Sequence, residues 1–313
     1  MKKIIILLMS IGLITISSQL AASEKFTVLL DWFVNPDHGP LIVALERGEF
    51  SKRQLEVNLI APADPNDPPK LVAAGRADIA VSYQPQLHLQ INAGLPLSRI
   101  GTLIATPLNS IVFLASSPIK SIADLKGKKI GFSVGGFEDA LLGTMLAKHG
   151  LSLNDVTLIN VNFSLSPSLM SGQVDAVIGA FRNFELNQMD ISGYPGRALF
   201  LEEEGIPPYD ELILVAKNDR LEDKRLRYFI EAVEAGTQYI INHPEEAWKL
   251  FIKNHKDLDN ELNKRAWRDT LPRFALRPGA LDKNRYLRFS QFLKSNNLIE
   301  TIPPVHTYAI EIP

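Results

Sequence analysis

Apolar runs and amphipathic runs alternate along the chain from about residue 26 to about residue 298. Short apolar or alternating runs typical of β-strands stand at residues 26–30, 55–59, 79–81, 111–115, 128–132, 176–178 and 211–216. Apolar residues recur at helical spacing in residues 41–47, 141–149, 226–233 and 281–298. This alternation predicts an α/β fold in which central, mostly parallel sheets are flanked by helices.

One pattern occurs twice in the chain. Residues 71–81 and residues 169–178 each contain an apolar helix end, a glycine, two further residues, an aspartate and a short buried strand. Glycine provides the left-handed residue that ends many helices. The repetition favours two similarly built lobes, each with its own sheet. The alternative is a common helix-to-strand turn that recurs by chance.

The apolar strands near 111–115 and 211–216 bracket the middle third of the chain. We interpret them as the two places where the chain crosses between lobes. The first lobe is then predicted to contain residues 24–110 and 209–313, and the second lobe residues 111–208. A ligand is expected in the cleft between two such lobes.

The amino terminus has the order of a secretory signal peptide. Lys2 and Lys3 precede an apolar run over residues 4–16, and small residues follow at positions 21–23. We predict a signal peptide over residues 1–23 that is cleaved after Ser23. A membrane anchor is the alternative, but a spanning helix needs about 20 apolar residues. No cysteine at the junction can carry a lipid, so we expect a free protein in a Gram-negative periplasm.

Composition narrows the function classes. The formal net charge of −2 provides no electrostatic basis for binding nucleic acid. The 313 residues include no cysteine, which excludes disulfides, a thiolate nucleophile and a cysteine-based metal site. The histidines show no metal-ligand spacing. We therefore expect no metal and no cofactor.

Candidate ligand-binding residues follow the predicted strands, because open α/β sheets bind ligands at the carboxyl ends of their strands. Trp32 offers a flat face for a heteroaromatic ring, Asn35 offers donors and an acceptor, and His38 can donate or accept. Tyr83 and Gln84 follow the strand at 79–81. Their alternative roles are an ordinary core aromatic for Trp32, a turn before Pro36 for Asn35, a cap or surface position for His38, and a strand-to-helix turn for Tyr83 and Gln84.

Three further candidates rest on weaker patterns. Gly135 and Gly136 precede a predicted helix, and glycine-rich helix starts can bind anions through backbone N–H groups. The alternative is that this loop binds no anion and only closes over the ligand. Tyr209 stands next to the second predicted crossing and could line the hinge.

Residues 31–44, 71–78 and 124–131 together resemble the thiamine-pyrimidine family, and the Trp32-x-x-Asn35-x-x-His38 segment is the most specific part. One branch of that family contains ABC-transporter binding proteins for a formylated aminomethyl-pyrimidine precursor of thiamine. The other contains eukaryotic synthases of the thiamine pyrimidine, in which a loop similar to residues 133–137 holds a cofactor phosphate. The resemblance implies the two-lobed, type II periplasmic-binding-protein fold. It also implies a pyrimidine-binding carboxylate at Glu185.

The resemblance predicts a monomeric binding protein, not an enzyme, that captures a formylaminomethyl- or hydroxymethyl-aminopyrimidine and delivers it to an ABC transporter permease. The synthases of the family carry a cysteine-rich segment and a lysine-held pyridoxal cofactor, whereas this chain has no cysteine and carries an export signal. Two alternatives remain. One is a binding protein for a sulfonate, nitrate or riboflavin-like solute, and the other is a pyrimidine-precursor synthase.

Overall fold

A computed structural model of the protein describes residues 24–312, and the predicted signal peptide therefore lies outside the described residues. The strands of the described part are Glu24–Leu29 (β1), Leu55–Ile60 (β2), Ile79–Ser82 (β3), Leu97–Ile104 (β4), Asn109–Leu114 (β5), Lys129–Phe132 (β6), Thr157–Asn160 (β7), Ala176–Phe181 (β8), Gly196–Phe200 (β9) and Leu212–Lys217 (β10). Its α-helices are Gly39–Glu46 (α1), Pro68–Ala73 (α2), Gln84–Asn92 (α3), Glu138–Lys148 (α4), Leu165–Met170 (α5), Glu185–Ile191 (α6), Lys224–Asn242 (α7), Pro244–Phe251 (α8), Glu261–Thr270 (α9) and Lys283–Ser295 (α10).

The strands form two five-stranded sheets with the same topology. Their orders are β2-β1-β3-β10-β4 and β7-β6-β8-β5-β9. In each sheet the first three strands pair in parallel, and the fourth is antiparallel to both of its neighbours. Four of the five strands therefore run in one direction, and helices flank both sheets. The predicted α/β fold with mostly parallel sheets is confirmed, and one antiparallel strand makes each sheet mixed.

The antiparallel strand of each sheet is the first strand after the chain arrives from the other sheet. The chain leaves β4 and enters the second sheet as β5, then leaves β9 and returns to the first sheet as β10. Both strands are buried almost throughout, which explains their continuous apolar sequences. We call the part built on β1–β4 and β10 the first lobe, and the part built on β5–β9 the second lobe.

The repeated sequence pattern has one structural meaning in both lobes. Asp78 Oδ2 accepts a hydrogen bond from the Thr27 N–H at 2.8 Å, and the Asp78 N–H donates to the Thr27 carbonyl. Asp175 makes the same pair of bonds with the backbone of Lys129. The glycine three residues before each aspartate has φ +72°, where glycine is favoured. Each aspartate thus fixes the start of the central strand of its sheet against the neighbouring parallel strand.

The helices after β10 cover the first lobe. Trp267 packs against Phe251 with ring centroids 5.3 Å apart and against Trp248 at 5.6 Å, so both tryptophans pack in the helical layer. α7 crosses α1 at close range because Gly236 has no side chain. Within residues 24–312, the chain has no helix with the length and apolarity that crossing a membrane requires.

The close approach of α7 to α1 yields a test of the fold. A Cβ on Gly236 would lie 2.6 Å from the Pro40 carbonyl oxygen and 2.9 Å from the Ala44 Cβ. Alanine improves helix propensity by up to about 1 kcal/mol, but overpacking costs about 1–3 kcal/mol. We expect Gly236→Ala to lower the free energy of unfolding, measured by urea denaturation.

Gly143→Ala is the matched control, because Gly143 also lies inside a helix. There the nearest atom to the new Cβ would be the Leu153 Cγ at 3.4 Å, an ordinary contact. We expect this variant to be as stable as the unchanged protein or slightly more stable. Equal effects of the two substitutions would contradict the described packing of α1 on α7.

Candidate ligand cleft

A cavity lies between the lobes and comprises about 450 Å³ of space not occupied by atoms, part of it open to solvent. Each of its walls is built where a strand ends. Asp31 and Trp32 follow β1, and Tyr83 follows β3 in the first lobe. In the second lobe, Ser133 follows β6 and Glu185 follows the end of β8. The carboxyl ends of both sheets therefore face one another across the cavity, as expected for α/β ligand sites.

Aromatic rings from both lobes form the apolar part of the cavity. The rings that line it belong to Trp32, Tyr83, Phe137, Phe181 and Phe184. Tyr83 stacks on Phe137 across the lobes, with centroids 5.1 Å apart and planes inclined by 27°. Trp32 is half-buried and contacts Phe163 of the second lobe edge-on, with centroids 4.6 Å apart. The cavity thus has flat apolar surfaces that suit a planar ring.

The side chains of charged type that line the cavity are all carboxylic acids. They are Asp31, Asp37, Glu138 and Glu185, and no lysine, arginine or histidine of residues 24–312 lines it. Burial raises the pKa of Glu138 and of Glu185 to about 8, and raises the pKa of Asp37 to about 6. Both glutamates are therefore largely protonated at neutral pH. Such groups can donate as well as accept hydrogen bonds.

Two side chains hydrogen-bond to the Asp31 carboxylate, one from the same loop and one from the residue that follows β3. His38 Nε2 lies 2.9 Å from Asp31 Oδ1, and the Tyr83 hydroxyl donates to Asp31 Oδ2 at 2.8 Å. The Asn35 N–H donates to His38 Nδ1 at 3.3 Å, which assigns the ring proton to Nε2. His38 is fully buried and does not line the cavity. It orients Asp31 from behind.

Asn35 lines the cavity and also shapes the turn that carries it. Its Oδ1 accepts the Asp37 N–H at 2.8 Å, and its Nδ2 donates to the Phe33 carbonyl at 3.2 Å. This arrangement caps the short 3₁₀ helix over residues 36–38. The turn role and the binding role of Asn35 are therefore compatible, because the side chain borders the cavity while it caps.

A buried polar cluster joins the lobes beside the cavity. Asp37 Oδ1 accepts hydrogen bonds from Asn183 Nδ2 at 2.7 Å and from the Thr270 hydroxyl at 2.9 Å. Asp37 Oδ2, Asn183 Oδ1 and Asn109 Nδ2 are buried without a hydrogen-bond partner. Asp37 and Asn109 also line the cavity. A buried polar atom without a partner is costly, so the Asp37 and Asn109 atoms mark positions where a polar ligand would stabilise the site.

The other predicted site residues lie around the cavity but do not line it. Gln84 Oε1 accepts the Asp210 N–H at 2.8 Å, so its side chain serves the second crossing. Tyr209 is fully buried and packs on Phe289 with centroids 5.5 Å apart. Gly135 and Gly136 stand in the loop before α4. Their N–H groups donate to Asn66 Oδ1 and Asp139 Oδ1, respectively.

Sequence reasoning missed several lining residues. Asp37 and Asn109 carried no recognised motif, although Asp37 lies between two residues that were singled out. Glu138 is the first residue of α4. An acidic residue is common in the first turn of a helix, so its position alone did not indicate a binding role. Gly179 lines the cavity with φ +95°, a conformation that favours glycine. The one available signal for Gly179 was a glycine inside an otherwise apolar buried strand.

The lobes are in contact in the described structure, beyond the cavity walls. Asn66 Nδ2 of the first lobe donates to the Ser133 carbonyl at 3.2 Å. On the other side of the cleft, Asn187 donates to Asp269 at 2.8 Å, and Arg265 pairs with Asp190 at 2.6 Å. These contacts define a closed arrangement of the two lobes.

Comparison with known proteins places the chain among relatives of two kinds. The sequence profile described as NMT1/THI5 like matches residues 35–247. A Haemophilus influenzae protein named for thiamine biosynthesis is 54% identical over 93% of both chains. The formylaminopyrimidine-binding protein of Halalkalibacterium halodurans is 32% identical over 77% of this chain and 74% of its own. A 4-amino-5-hydroxymethyl-2-methylpyrimidine phosphate synthase of Legionella pneumophila is 26% identical over 80% of each.

Solved structures share the fold at low sequence identity. The alkanesulfonate-binding protein SsuA of Xanthomonas axonopodis, bound to MOPS, superposes with a TM-score of 0.72 at 15% identity and covers 92% of this chain and 99% of its own. A Candida albicans protein described as having the generic periplasmic binding protein fold superposes with a TM-score of 0.71 at 18% identity, covering 94% and 97%. The two-lobed architecture is thus that of periplasmic binding proteins.

The buried glutamates predict how stability depends on pH. The ordinary pKa of a glutamate is 4.5, and burial raises the pKa of Glu185 in the folded protein to about 8. The stabilisation from its bound proton is present below pH 4.5 and is lost as the pH rises to about 8. We expect the melting temperature of the ligand-free protein to fall between pH 5 and pH 8, and Glu185→Gln to flatten that slope.

Glu56→Gln provides the control, because Glu56 is exposed on β2 and lies far from the cavity lining. Its melting curve is expected to follow that of the unchanged protein at every pH. A slope that Glu185→Gln leaves unaltered would mean that Glu185 is ionised in the folded protein at neutral pH.

Proposed function

The chain belongs to the NMT1/THI5-like family, and from that premise we propose that it captures an aminopyrimidine precursor of thiamine in the interlobe cleft. The ligand is a formylaminomethyl- or hydroxymethyl-aminopyrimidine, which the protein delivers to an ABC transporter permease. The observation that carries this proposal is the cavity itself, which combines five aromatic rings with four carboxyl groups and no basic side chain of the described residues.

The chemistry of an aminopyrimidine matches that cavity. The ring is flat and stacks on an aromatic face such as Trp32. Its exocyclic amine donates hydrogen bonds that a carboxyl oxygen accepts, and its ring nitrogens accept a hydrogen bond that a protonated carboxyl donates. Glu185 can do both, because its Oε2 is held by the Phe181 N–H at 2.7 Å while its raised pKa retains the proton.

The absence of cations from the lining argues against anionic ligands. A sulfonate or nitrate bound in a dry cleft needs positively charged or multiple N–H donors to offset its desolvation. The carboxyl groups of the lining provide no positive charge to an anion, whether they are protonated or ionised. The alkanesulfonate-binding neighbour is 15% identical, and at that level the likeness extends to the fold alone.

Binding without catalysis agrees with the residues of the cavity. A lysine that holds a pyridoxal cofactor is expected of the synthase branch, and no lysine of residues 24–312 lines this cavity. The chain also has no cysteine. The relative named as a formylaminopyrimidine-binding protein supports the same reading. Residues 1–23 have the charged and apolar sequence pattern of a signal peptide. We therefore propose that the protein works in the periplasm.

Titration calorimetry tests the ligand and the stacking residue together. We expect the protein to bind formylaminomethyl- and hydroxymethyl-aminopyrimidines, and Trp32→Ala to weaken binding at least about tenfold, since lost stacking and area burial exceed roughly 1.4 kcal/mol. Glu185→Gln should weaken binding of aminopyrimidines more than binding of analogues that lack the amine. Trp248→Ala, which alters a tryptophan outside the cavity, is expected to leave affinity unchanged.

The same titrations include a sulfonate, nitrate and riboflavin as competing candidates. If the unchanged protein ignores every pyrimidine and binds one of these, the proposed ligand is wrong. Trp32 would then be a packing residue at the lobe boundary.

The polar cluster beside the cavity predicts how the lobes respond to ligand. Asn183 of the second lobe donates to Asp37 and Thr270 of the first, and loss of bonds to a buried carboxyl costs about 1.5–3 kcal/mol. We expect ligand to decrease the radius of gyration in small-angle scattering. We also expect Asn183→Ala to weaken ligand affinity by about tenfold or more and to reduce that decrease.

Asn187→Ala is the matched control, because it removes one exposed interlobe bond to Asp269 and a bond to the Asn183 backbone carbonyl within the second lobe, but leaves the Asn183 side chain in place. Its effect on affinity should be within a few-fold. A radius of gyration that stays constant under saturating ligand would contradict closure as the response.

A further inference from the structure

The loop between β6 and α4 presents four consecutive backbone N–H groups, and a side-chain oxygen accepts each of them. Glu138 Oε2 accepts the Ser133 N–H at 2.8 Å and the Val134 N–H at 3.2 Å. Asn66 and Asp139 take the N–H groups of Gly135 and Gly136. Consecutive N–H groups at a glycine-rich helix start are otherwise a ready site for a phosphate or sulfate. Here the protein's own side chains occupy them.

Strand β8, on the other side of the Glu138 carboxyl group, also leaves space for it. Glu138 is 3% exposed and lines the cavity. Its second oxygen, Oε1, lies against Gly179 of β8, where any Cβ would overlap the carboxyl group. The Gly179 N–H in turn donates to Asn109 Oδ1 at 2.9 Å. Both the loop and the facing strand are therefore shaped around the Glu138 carboxyl.

We infer that Glu138 determines specificity by occupying the N–H groups of Ser133 and Val134 in the 133–136 loop, so that the cleft accepts unphosphorylated pyrimidines and rejects their phosphate monoesters. This inference rests on the proposed function, because it names the form of the ligand that the same cleft takes. It also separates the two kinds of relative by chemistry, since one is named for binding a formylaminopyrimidine and others for making a pyrimidine phosphate.

Exclusion comes from occupancy of the donors more than from charge. Burial raises the pKa of Glu138 to about 8, so the carboxyl is largely neutral at pH 7 and still accepts two N–H groups. A phosphate that entered would find these donors taken and no lysine, arginine or histidine of the described chain in the lining. The desolvation of a phosphate ester would therefore remain uncompensated.

Three variants separate occupancy from charge. Glu138→Gln keeps the size and an acceptor oxygen, whereas Glu138→Ala and Glu138→Ser remove the group that reaches the N–H donors. Glu185→Gln changes a different carboxyl of the same cavity, one that contacts the Phe181 N–H and not the loop. Circular dichroism and melting curves establish that each variant is folded.

Titration with the hydroxymethyl-aminopyrimidine and with its phosphate monoester gives the affinity ratio of the two ligands. The unchanged protein is expected to prefer the alcohol by at least about a hundredfold, equivalent to about 2.7 kcal/mol. Glu138→Ala and Glu138→Ser should lower that preference at least about tenfold. Glu138→Gln and Glu185→Gln should leave it within about threefold.

Inorganic phosphate provides a second probe that does not depend on pyrimidine binding. We expect about 10 mM phosphate, a tenfold excess over a Kd of about 1 mM, to raise the melting temperature of Glu138→Ala and Glu138→Ser, but not that of the unchanged protein or of Glu138→Gln. If no pyrimidine binds, the proposed function fails and the phosphate arm alone decides this inference. Tight binding of the phosphate ester by the unchanged protein would overturn it. So would an unaltered preference, or no phosphate response, in both shortened variants.

Discussion

The site depends on how the two crossings of the chain are tied to one another. Glu211, immediately before β10, is fully buried and its Oε2 accepts the N–H groups of Leu108 and Asn109 at 2.6 and 2.8 Å. Arg182 donates to the carbonyls of the same two residues. The outgoing and returning segments therefore meet through one carboxyl group. Asn109 then accepts the Gly179 N–H, which sets the strand that faces Glu138. The contacts at the two crossings thus fix the position of β8, which forms part of the second lobe's wall of the cleft.

Much of this architecture can be predicted from local sequence patterns, whereas the site can be predicted only in part. Strand ends could be located from apolar runs, and Trp32, Asn35, Tyr83 and Glu185 do line the cavity between them. The strand-end rule places a loop at the cleft but does not say which side chain of the loop faces it. His38 illustrates the limit, because its ring turns away from the cavity to bond Asp31.

The missed residues depend on partners that are distant in the chain. Glu138 becomes a cavity residue because Gly179, on another strand, leaves room for its carboxyl. Asp37 contacts the second lobe because Asn183, in the turn before α6, donates to it, while Thr270 at the end of α9 donates to it from the first lobe. No periodicity reports such pairings, since periodicity records one element at a time. The glycine loop shows the converse case, in which a local pattern indicates an anion site that distant and neighbouring side chains already fill.

The balance of contacts across the cleft indicates what drives closure. The Arg265–Asp190 pair is largely exposed, and exposed ion pairs contribute roughly 0–1 kcal/mol. The buried contacts at Asp37 leave one carboxyl oxygen and the Asn183 carbonyl without partners, which offsets part of their stabilisation. Neither set alone provides the several kcal/mol that a strong shift toward the closed form requires. A ligand that stacks on aromatic rings of both lobes and pairs with the free Asp37 oxygen would bind the closed form better than an open one. A ligand shifts the equilibrium between open and closed forms only by the difference between its affinities for the two forms. A cavity with walls from both lobes creates such a difference, because the ligand contacts both walls only when the lobes are closed.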